Sequence, residues 1–251
     1  MTELLYGRQA VVEALRAGRR KIVTLSVAEN AQRKGVLAES IALAERRNIP
    51  VHYVPHGQLI HALRAERAEA QGIVAEVREY PYVDVDALMA ASDERSGLVL
   101  VMDRVQDPQN VGTLLRTAEA VGVDGVIIPE HRAASITPAV VNASSGATEH
   151  LRIARVTNMT RALEGLKQAG LWVAGLESAP GALDYTQADL SGPLALVVGS
   201  EGQGISRLVR ETCDFLVRLP MRGRIGSLNV AVAGSIALYE IARQRRPATL
   251  A

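Results

Sequence analysis

The segment Gly223-Arg224-Ile225-Gly226-Ser227-Leu228-Asn229 joins two stretches of opposite character. Before it, Asp214-Phe215-Leu216-Val217-Arg218-Leu219-Pro220 reads as a short buried strand. After it, Val230-Ala231-Val232-Ala233-Gly234-Ser235-Ile236-Ala237-Leu238-Tyr239-Glu240 reads as a helix of small residues with almost no charge. Gly223 and Gly226 permit close approach of backbone to a ligand, and the helix N-terminus offers unpaired N–H groups. The same residues also suit an ordinary capped helix, with Ser227 or Asn229 as the cap and the glycines as the turn.

Upstream the same alternation repeats. Leu194–Val198 and Leu98–Met102 are continuous apolar runs, the kind buried on both faces of a parallel sheet. The first runs into Gly199-Ser200-Glu201-Gly202-Gln203-Gly204. The second leads through the polar loop Asp103 to Asn110 into a helix over 111–121, with Leu114, Leu115 and Ala118 on one face. Further strands are expected at 124–129, 153–156 and 171–176, with a helix over 159–168. Residues 97–251 therefore read as one α/β domain.

Residues 1–78 read as a smaller α/β unit. A helix around Ala10, Val11, Ala14 and Leu15 ends at Gly18. Strands follow at 22–27, 49–54 and 72–77, with helices around 36–47 and 59–63, a pattern that favours three layers. Between the two, residues 79–96 read as a linker. Tyr80-Pro81-Tyr82 breaks the periodicity, Asp93-Glu94-Arg95-Ser96 is polar, and Val85, Leu88 and Met89 suit one short helix.

Bulk properties narrow the class. The chain has 251 residues, 48% hydrophobic and 22% charged, enough for a sizeable core. No apolar run has the length of a membrane span and the N-terminus lacks a signal-peptide pattern, so a cytoplasmic protein with no membrane partner is expected. A single cysteine, Cys213, fits a reducing compartment. Five scattered His and no second Cys give no metal cluster, so no metal is expected. The net charge of +1 hides an asymmetry: residues 1–78 hold 12 Lys and Arg against 8 Asp and Glu. A mildly basic first unit suits a phosphate-rich partner. Aromatic residues make up only 3%, which argues against a base-stacking sheet of the single-stranded-RNA type.

In open α/β sheets ligands bind beyond the carboxyl ends of strands, so the three loops there hold the candidate chemistry. In the first, Asn110 lies near the helix start and Arg116 close to two turns further on. There Asp107 as a cap and Pro108 in the first turn make an ordinary helix start, with Arg116 then a surface residue. The second, Gly199 to Gly204, matches neither the dinucleotide fingerprint nor the P-loop. It lacks Lys-Ser/Thr, and Glu201 repels phosphate, so a ligand with cationic or hydroxyl groups fits better. The third is the segment quoted at the outset.

Together these loops resemble the motifs of the SpoU (TrmH) family of RNA ribose 2′-O-methyltransferases. The first motif is Asp107-Pro108-Gln109-Asn110-Val111-Gly112 with Arg116-Thr117-Ala118 and Gly122. The second is Leu196-Val197-Val198-Gly199-Ser200-Glu201-Gly202-Gln203-Gly204. The third is Leu219-Pro220-Met221 with Ser227-Leu228-Asn229-Val230-Ala231-Val232-Ala233. Gly7-Arg8-Gln9-Ala10-Val11, with Glu13-Ala14-Leu15, looks like the family's substrate-binding domain, so the resemblance covers nearly the whole chain. It is strongest to the two-domain enzymes that methylate a guanosine ribose of 23S rRNA. The chain departs from the pattern at Ala70, where many relatives carry His, and at Thr148, where a smaller residue is expected.

The resemblance implies a C-terminal trefoil-knotted, parallel-sheet methyltransferase domain over 97–251. It implies a small α/β RNA-binding domain resembling a ribosomal protein over 1–78. It implies S-adenosylmethionine as cofactor, RNA as substrate, and a homodimer with the active site near the subunit interface, Arg116 facing the other subunit's cofactor. The catalytic candidates it carries over are Asn110, Arg116, Glu201, Ser227 and Asn229, with Glu201 holding Arg116 or a backbone amide. The cofactor-binding candidates are Gly199, Glu201, Gly202, Leu219, Met221, Ser227, Leu228 and Asn229. Arg8, Arg19, Arg20 and Lys21 are the candidates for RNA phosphate contacts. A tRNA ribose, a resistance-type rRNA target, or an inactive RNA-binding member of the fold are the alternatives.

Overall fold

The computed structural model describes residues 2–63, 70–92, 97–131 and 133–245. The polar end of the expected linker, Asp93 to Ser96, and the side chain of Met89 lie outside the described residues. In chain order the first elements are β1 (Thr2–Tyr6), α1 (Arg8–Ala17), β2 (Ile22–Ala28), α2 (Val36–Arg46), β3 (Val51–Val54), α3 (His56–Ala62) and β4 (Ile73–Arg78). Then come α4 (Val85–Ser92), β5 (Leu98–Met102), α5 (Pro108–Ala120), β6 (Gly125–Pro129), α6 (Pro138–Ala143) and a 3₁₀ turn at Ala147–Glu149. The chain continues with β7 (Ile153–Val156), α7 (Met159–Gln168), β8 (Trp172–Leu176), β9 (Leu183–Asp184) and β10 (Leu194–Val198). It closes with α8 (Arg207–Thr212), β11 (Phe215–Arg218) and α9 (Val230–Gln244). These elements form two compact units, one holding the chain up to Pro81 together with Ile136–His150, the other holding the rest.

The first unit is a four-stranded sheet in the order β1-β4-β2-β3, antiparallel except for the parallel pair β2/β3. Leu59 and Leu63 pack on Tyr6, Ala28 and Val74, on one face. Leu5, Leu25 and Ala75, one residue out of phase, are buried too, so both faces are covered. Gly18 closes α1 in the left-handed conformation, with its N–H donating to the Ala14 carbonyl.

The segment 136–150 lies between strands of the larger sheet in sequence but packs within the first unit. Asn142 Nδ2 donates to the Tyr6 carbonyl at 3.1 Å, and His150 Nε2 lies 2.8 Å from Glu13. The Tyr80 hydroxyl donates to the Thr148 carbonyl at 2.8 Å. Three side chains reaching chain that is distant in sequence explain why periodicity alone assigns this segment to 97–251. The expected linker is equally committed. Tyr80 is buried in the first unit, while Leu88 is buried in the second and sits where a Cβ on Gly125 would stand.

The second unit is a seven-stranded, all-parallel sheet in the order β7-β6-β5-β10-β8-β11-β9. β5 and β10 are buried at every position, as their unbroken apolar sequences require. Val99, Val101, Ala195 and Val197 pack with Leu163 and Leu166 of α7 in one core cluster. Among the described residues no helix is long and apolar enough to cross a membrane.

Candidate active site

Beyond the carboxyl ends of β8, β10 and β11 the second unit opens into a cavity of about 590 Å³. Its walls are the loop after β10, the turn into α9, and Glu177 and Ser178 after β8. Parallel strands end there together, and the loops that follow them converge.

The loop after β10 is a tight hairpin. Ser200 and Gly204 exchange backbone hydrogen bonds, N–H to carbonyl, at 3.1 and 3.0 Å. A Cβ on Gly199 would lie 2.1 Å from the Gly204 carbonyl carbon, so no side chain fits there. Two carboxylates anchor the exit of the hairpin. Asp103 Oδ2 accepts from Ser206 N at 2.6 Å, and Glu177 Oε2 accepts from Ile205 N at 3.1 Å. Glu177 Oε1 also accepts from Arg210 Nη1 at 3.0 Å. Sequence reasoning passed over both acids. Their signal was position, since each directly follows an apolar strand at its carboxyl end.

The three motif loops meet through side chains. Asp107 caps α5, its Oδ2 accepting from Asn110 N at 3.1 Å, with Pro108 in the first turn. The helix thus begins three residues before the expected Val111, and Asn110 is held in its first turn. Asn110 Nδ2 donates to Glu201 Oε1, and Asn229 Nδ2 donates to Asn110 Oδ1 at 2.9 Å. Asn229 Oδ1 caps α9, accepting from Ala231 N and Val232 N at 2.9 and 3.3 Å. Of the two expected caps it is Asn229 that serves, and the same side chain both starts the helix and closes the polar chain. Glu201 is held by Asn110.

The expected cofactor-binding residues Gly199, Glu201, Gly202, Leu219, Met221, Ser227, Leu228 and Asn229 all line the cavity. Apolar Leu219, Met221 and Leu228 face it together with the carboxylates of Glu177 and Glu201. That mixture fits a ligand with an apolar body and cationic groups. Among the described residues beyond its chain neighbours, none comes within 4 Å of a Cβ built on Gly223 or Gly226, so the turn is open on that side. Arg116 stands exposed on α5 and does not line this cavity.

Behind the site, α9 lies against α5 through a thin face. A Cβ on Gly234 would sit 2.6 Å from Leu114 Cδ1, and the Thr117 and Ser235 hydroxyls are 2.8 Å apart. Burial pushes the Cys213 thiol up to about 12. Among the described residues no group of three or more His, Cys, Asp or Glu is placed to hold a metal ion.

The four candidate RNA contacts separate. Arg8 is half-buried and Lys21 exposed, while Arg19 is half-buried with Nη1 3.5 Å from the Glu149 carbonyl. Arg20 is a correction. Its side chain is wholly buried, with Nη1 3.1 Å from Glu3 and Nη2 3.3 Å from Glu149, and its guanidinium lies 5.1 Å from the Tyr80 ring centroid. A cation enclosed by two carboxylates and a ring is an internal tie, out of reach of a phosphate. Burial raises the Glu149 carboxyl above the usual range, with Arg20 opposing the shift.

Comparison with known proteins agrees with this geometry. Residues 97–239 match the SpoU rRNA Methylase family, and residues 4–83 match the family described as RNA 2′-O ribose methyltransferase substrate binding. The chain is 42% identical over 247 residues to YacO of Bacillus subtilis, named for the TrmH tRNA/rRNA methyltransferase family, covering 98% of this chain and 97% of that one. A similarly named Staphylococcus saprophyticus protein is 40% identical, covering 96% of each chain. Among solved structures, the SpoU methyltransferase AviRb of Streptomyces viridochromogenes in complex with AdoMet superposes with a TM-score of 0.79 at 27% identity, covering 97% of this chain and 90% of that one. An AdoMet-bound rRNA methyltransferase from Sinorhizobium meliloti gives 0.80 at 27% identity, over 98% and 88%.

Proposed function

This chain belongs to the SpoU family of RNA methyltransferases, and from that premise we propose that it methylates the 2′-hydroxyl of a guanosine ribose in 23S rRNA. The observation that carries the site assignment is the hydrogen-bonded chain Asn229–Asn110–Glu201, which gathers all three motif loops at the rim of one cavity. The cofactor is S-adenosylmethionine, which supplies an electrophilic methyl group on a sulfonium. The partly apolar lining, with the carboxylates of Glu177 and Glu201 against the single cation Arg218, suits it, as does the absence of a phosphate-binding Lys from the Gly199–Gly204 hairpin. Gly199 lets the hairpin close, Leu219, Met221 and Leu228 supply the apolar wall, and Ser227 and Asn229 orient polar groups at the turn. Much of the barrier reduction comes from holding the ribose oxygen in line with the methyl.

Arg116 is the proposed activator of the hydroxyl. A guanidinium holds its proton far too firmly to be a good general base. Its role is to bind the phosphate next to the target ribose and stabilise the developing alkoxide, the proton leaving to phosphate or water. Because Arg116 does not line the cavity of its own chain, we assign it to the cavity of a second subunit in a homodimer. Exposed Val232, Ile236 and Tyr239, at helical spacing on α9, support such an interface. The insertion of β10 between the earlier strands β5 and β8 supports the family's trefoil knot in this unit. The first unit docks the RNA, and the cytoplasm is the compartment, in keeping with one unpaired cysteine. A tRNA ribose is the second reading, because relatives carry names covering both tRNA and rRNA.

Calorimetric titration with S-adenosylmethionine tests the cavity. Saturable binding by the wild-type chain, lost in Gly199→Ala because the added Cβ meets the Gly204 backbone, is the expected result. Equal affinity in the variant would contradict the assignment.

A further inference from the structure

The first unit carries a cavity of its own, of about 590 Å³. It lies where β2 and β3 end and where α1 and β4 begin, the end of β2 opposite to Lys21. Arg8 and Gln71 form one wall. Gln71 Oε1 accepts from the Arg8 backbone N–H at 3.2 Å, satisfying a first-turn donor of α1, which has no side-chain cap of its own. The Gln71 carbonyl accepts from Arg8 Nε at 3.0 Å. A guanidinium held at Nε by a backbone carbonyl is fixed in direction before any ligand arrives.

That arrangement is bought with backbone strain. Gln71 and Gly72 are both left-handed, at φ 52° and 82°, a conformation that a side chain such as that of Gln71 disfavours. Gly7, at φ 85°, leaves no room for a Cβ, which would lie 2.5 Å from Asn142 Nδ2. Three successive constraints thus serve the placing of one arginine.

The opposite wall brings Asn30 and Gln32 from the loop after β2 and His56 from the start of α3. Among the described residues lining the cavity there is no carboxylate, although Glu29 stands in sequence between the lining residues Ala28 and Asn30. Carboxamides offer donor and acceptor side by side, the combination that reads the edge of a nucleobase, while arginine matches a phosphate. The loop continues into exposed Arg33 and Lys34, and the Arg33 guanidinium stacks 4.1 Å from the Tyr53 ring centroid. A flat cationic stack beside a polar cavity is a platform for an unpaired base.

We infer that this cavity receives an unpaired nucleotide of the substrate RNA, its base read by Asn30, Gln32 and His56 and its phosphate held by Arg8. The inference rests on the RNA-methyltransferase reading above and moves the docking surface from Arg19-Arg20-Lys21 to the other end of the sheet, keeping only Arg8.

The test is photo-cross-linking of the full chain to unmodified 23S rRNA and tRNA transcripts, with peptide–nucleotide adducts mapped by mass spectrometry. Adducts are expected within 28–34 and at His56. The double variant Asn30→Ala/Gln32→Ala should raise the half-saturating RNA concentration about tenfold, with the dissociation constant for S-adenosylmethionine at its wild-type value. Adducts confined to other surfaces, or unchanged RNA affinity in the double variant, would overturn the inference while leaving methylation intact. Adducts in this cavity from a wild-type protein that makes no ribose-methylated product would instead sink the enzyme reading and keep the pocket.

Discussion

Asn110 in the first turn of α5, Glu201 in the hairpin after β10 and Asn229 at the cap of α9 are polar residues beside apolar elements, where nothing in the core calls for them. The resemblance to the SpoU motifs is what marked them, and the structure joins them in one hydrogen-bonded chain. Arg20 is the opposite case. A run of Arg19-Arg20-Lys21 reads as solvated surface, because the carboxylates that enclose Arg20 lie 17 and 129 positions away, at Glu3 and Glu149. Arg20→Ala should therefore cost about 3 to 5 kcal/mol by leaving buried Glu149 uncompensated. The pH dependence has a definite sign. Glu149 has a folded pKa raised by burial, so its contribution is fully present below the unfolded carboxyl pKa and is lost as pH rises through the folded value. Removing Arg20 removes the cation opposing that loss, so the deficit of the variant should be larger at pH 7 than at pH 4. Urea midpoints of both proteins at the two pH values check this, and an equal deficit at both would refute it.

At the scale of elements, the strands buried on both faces were legible because five consecutive apolar residues leave little alternative. β1 was not, since only its last two residues are fully buried, and β9, with two residues, has no periodicity to read. α6 and α8 have six residues each, less than two turns of pattern. The small residues of α9 were legible as a helix with almost no charge, but the partner that they pack against within the chain was not. That partner is α5, and the contact is close enough to be tested. Gly234→Val should destabilise the chain by about 1 to 3 kcal/mol through overlap with Leu114. Leu114→Ala in the same chain should restore part of the loss by making room. Thermal denaturation of the two variants measures both effects, and no recovery in the double variant would show that the strain lies elsewhere.

For the whole molecule, composition alone leaves residues 136–150 with the larger domain, whereas in the structure they group with the first unit. That assignment depends on the hydrogen bonds that join Asn142 to Tyr6, Tyr80 to Thr148 and His150 to Glu13, which no local pattern announces. The proposed homodimer makes a specific prediction about shared sites. Arg116→Ala and Gly199→Ala chains should each be inactive alone, yet a mixture exchanged into heterodimers should recover part of the activity. One mixed site would then combine an intact cavity with the partner's arginine, whereas a site built within one chain gives no recovery.

The most direct measurement is transfer of labelled methyl from S-adenosylmethionine to unmodified 23S rRNA, 16S rRNA and tRNA, with the product nucleosides identified by mass spectrometry. The expected result is 2′-O-methylguanosine in 23S rRNA from the wild-type protein and none from Arg116→Ala. A base-methylated product, or undiminished ribose methylation by Arg116→Ala, would contradict it.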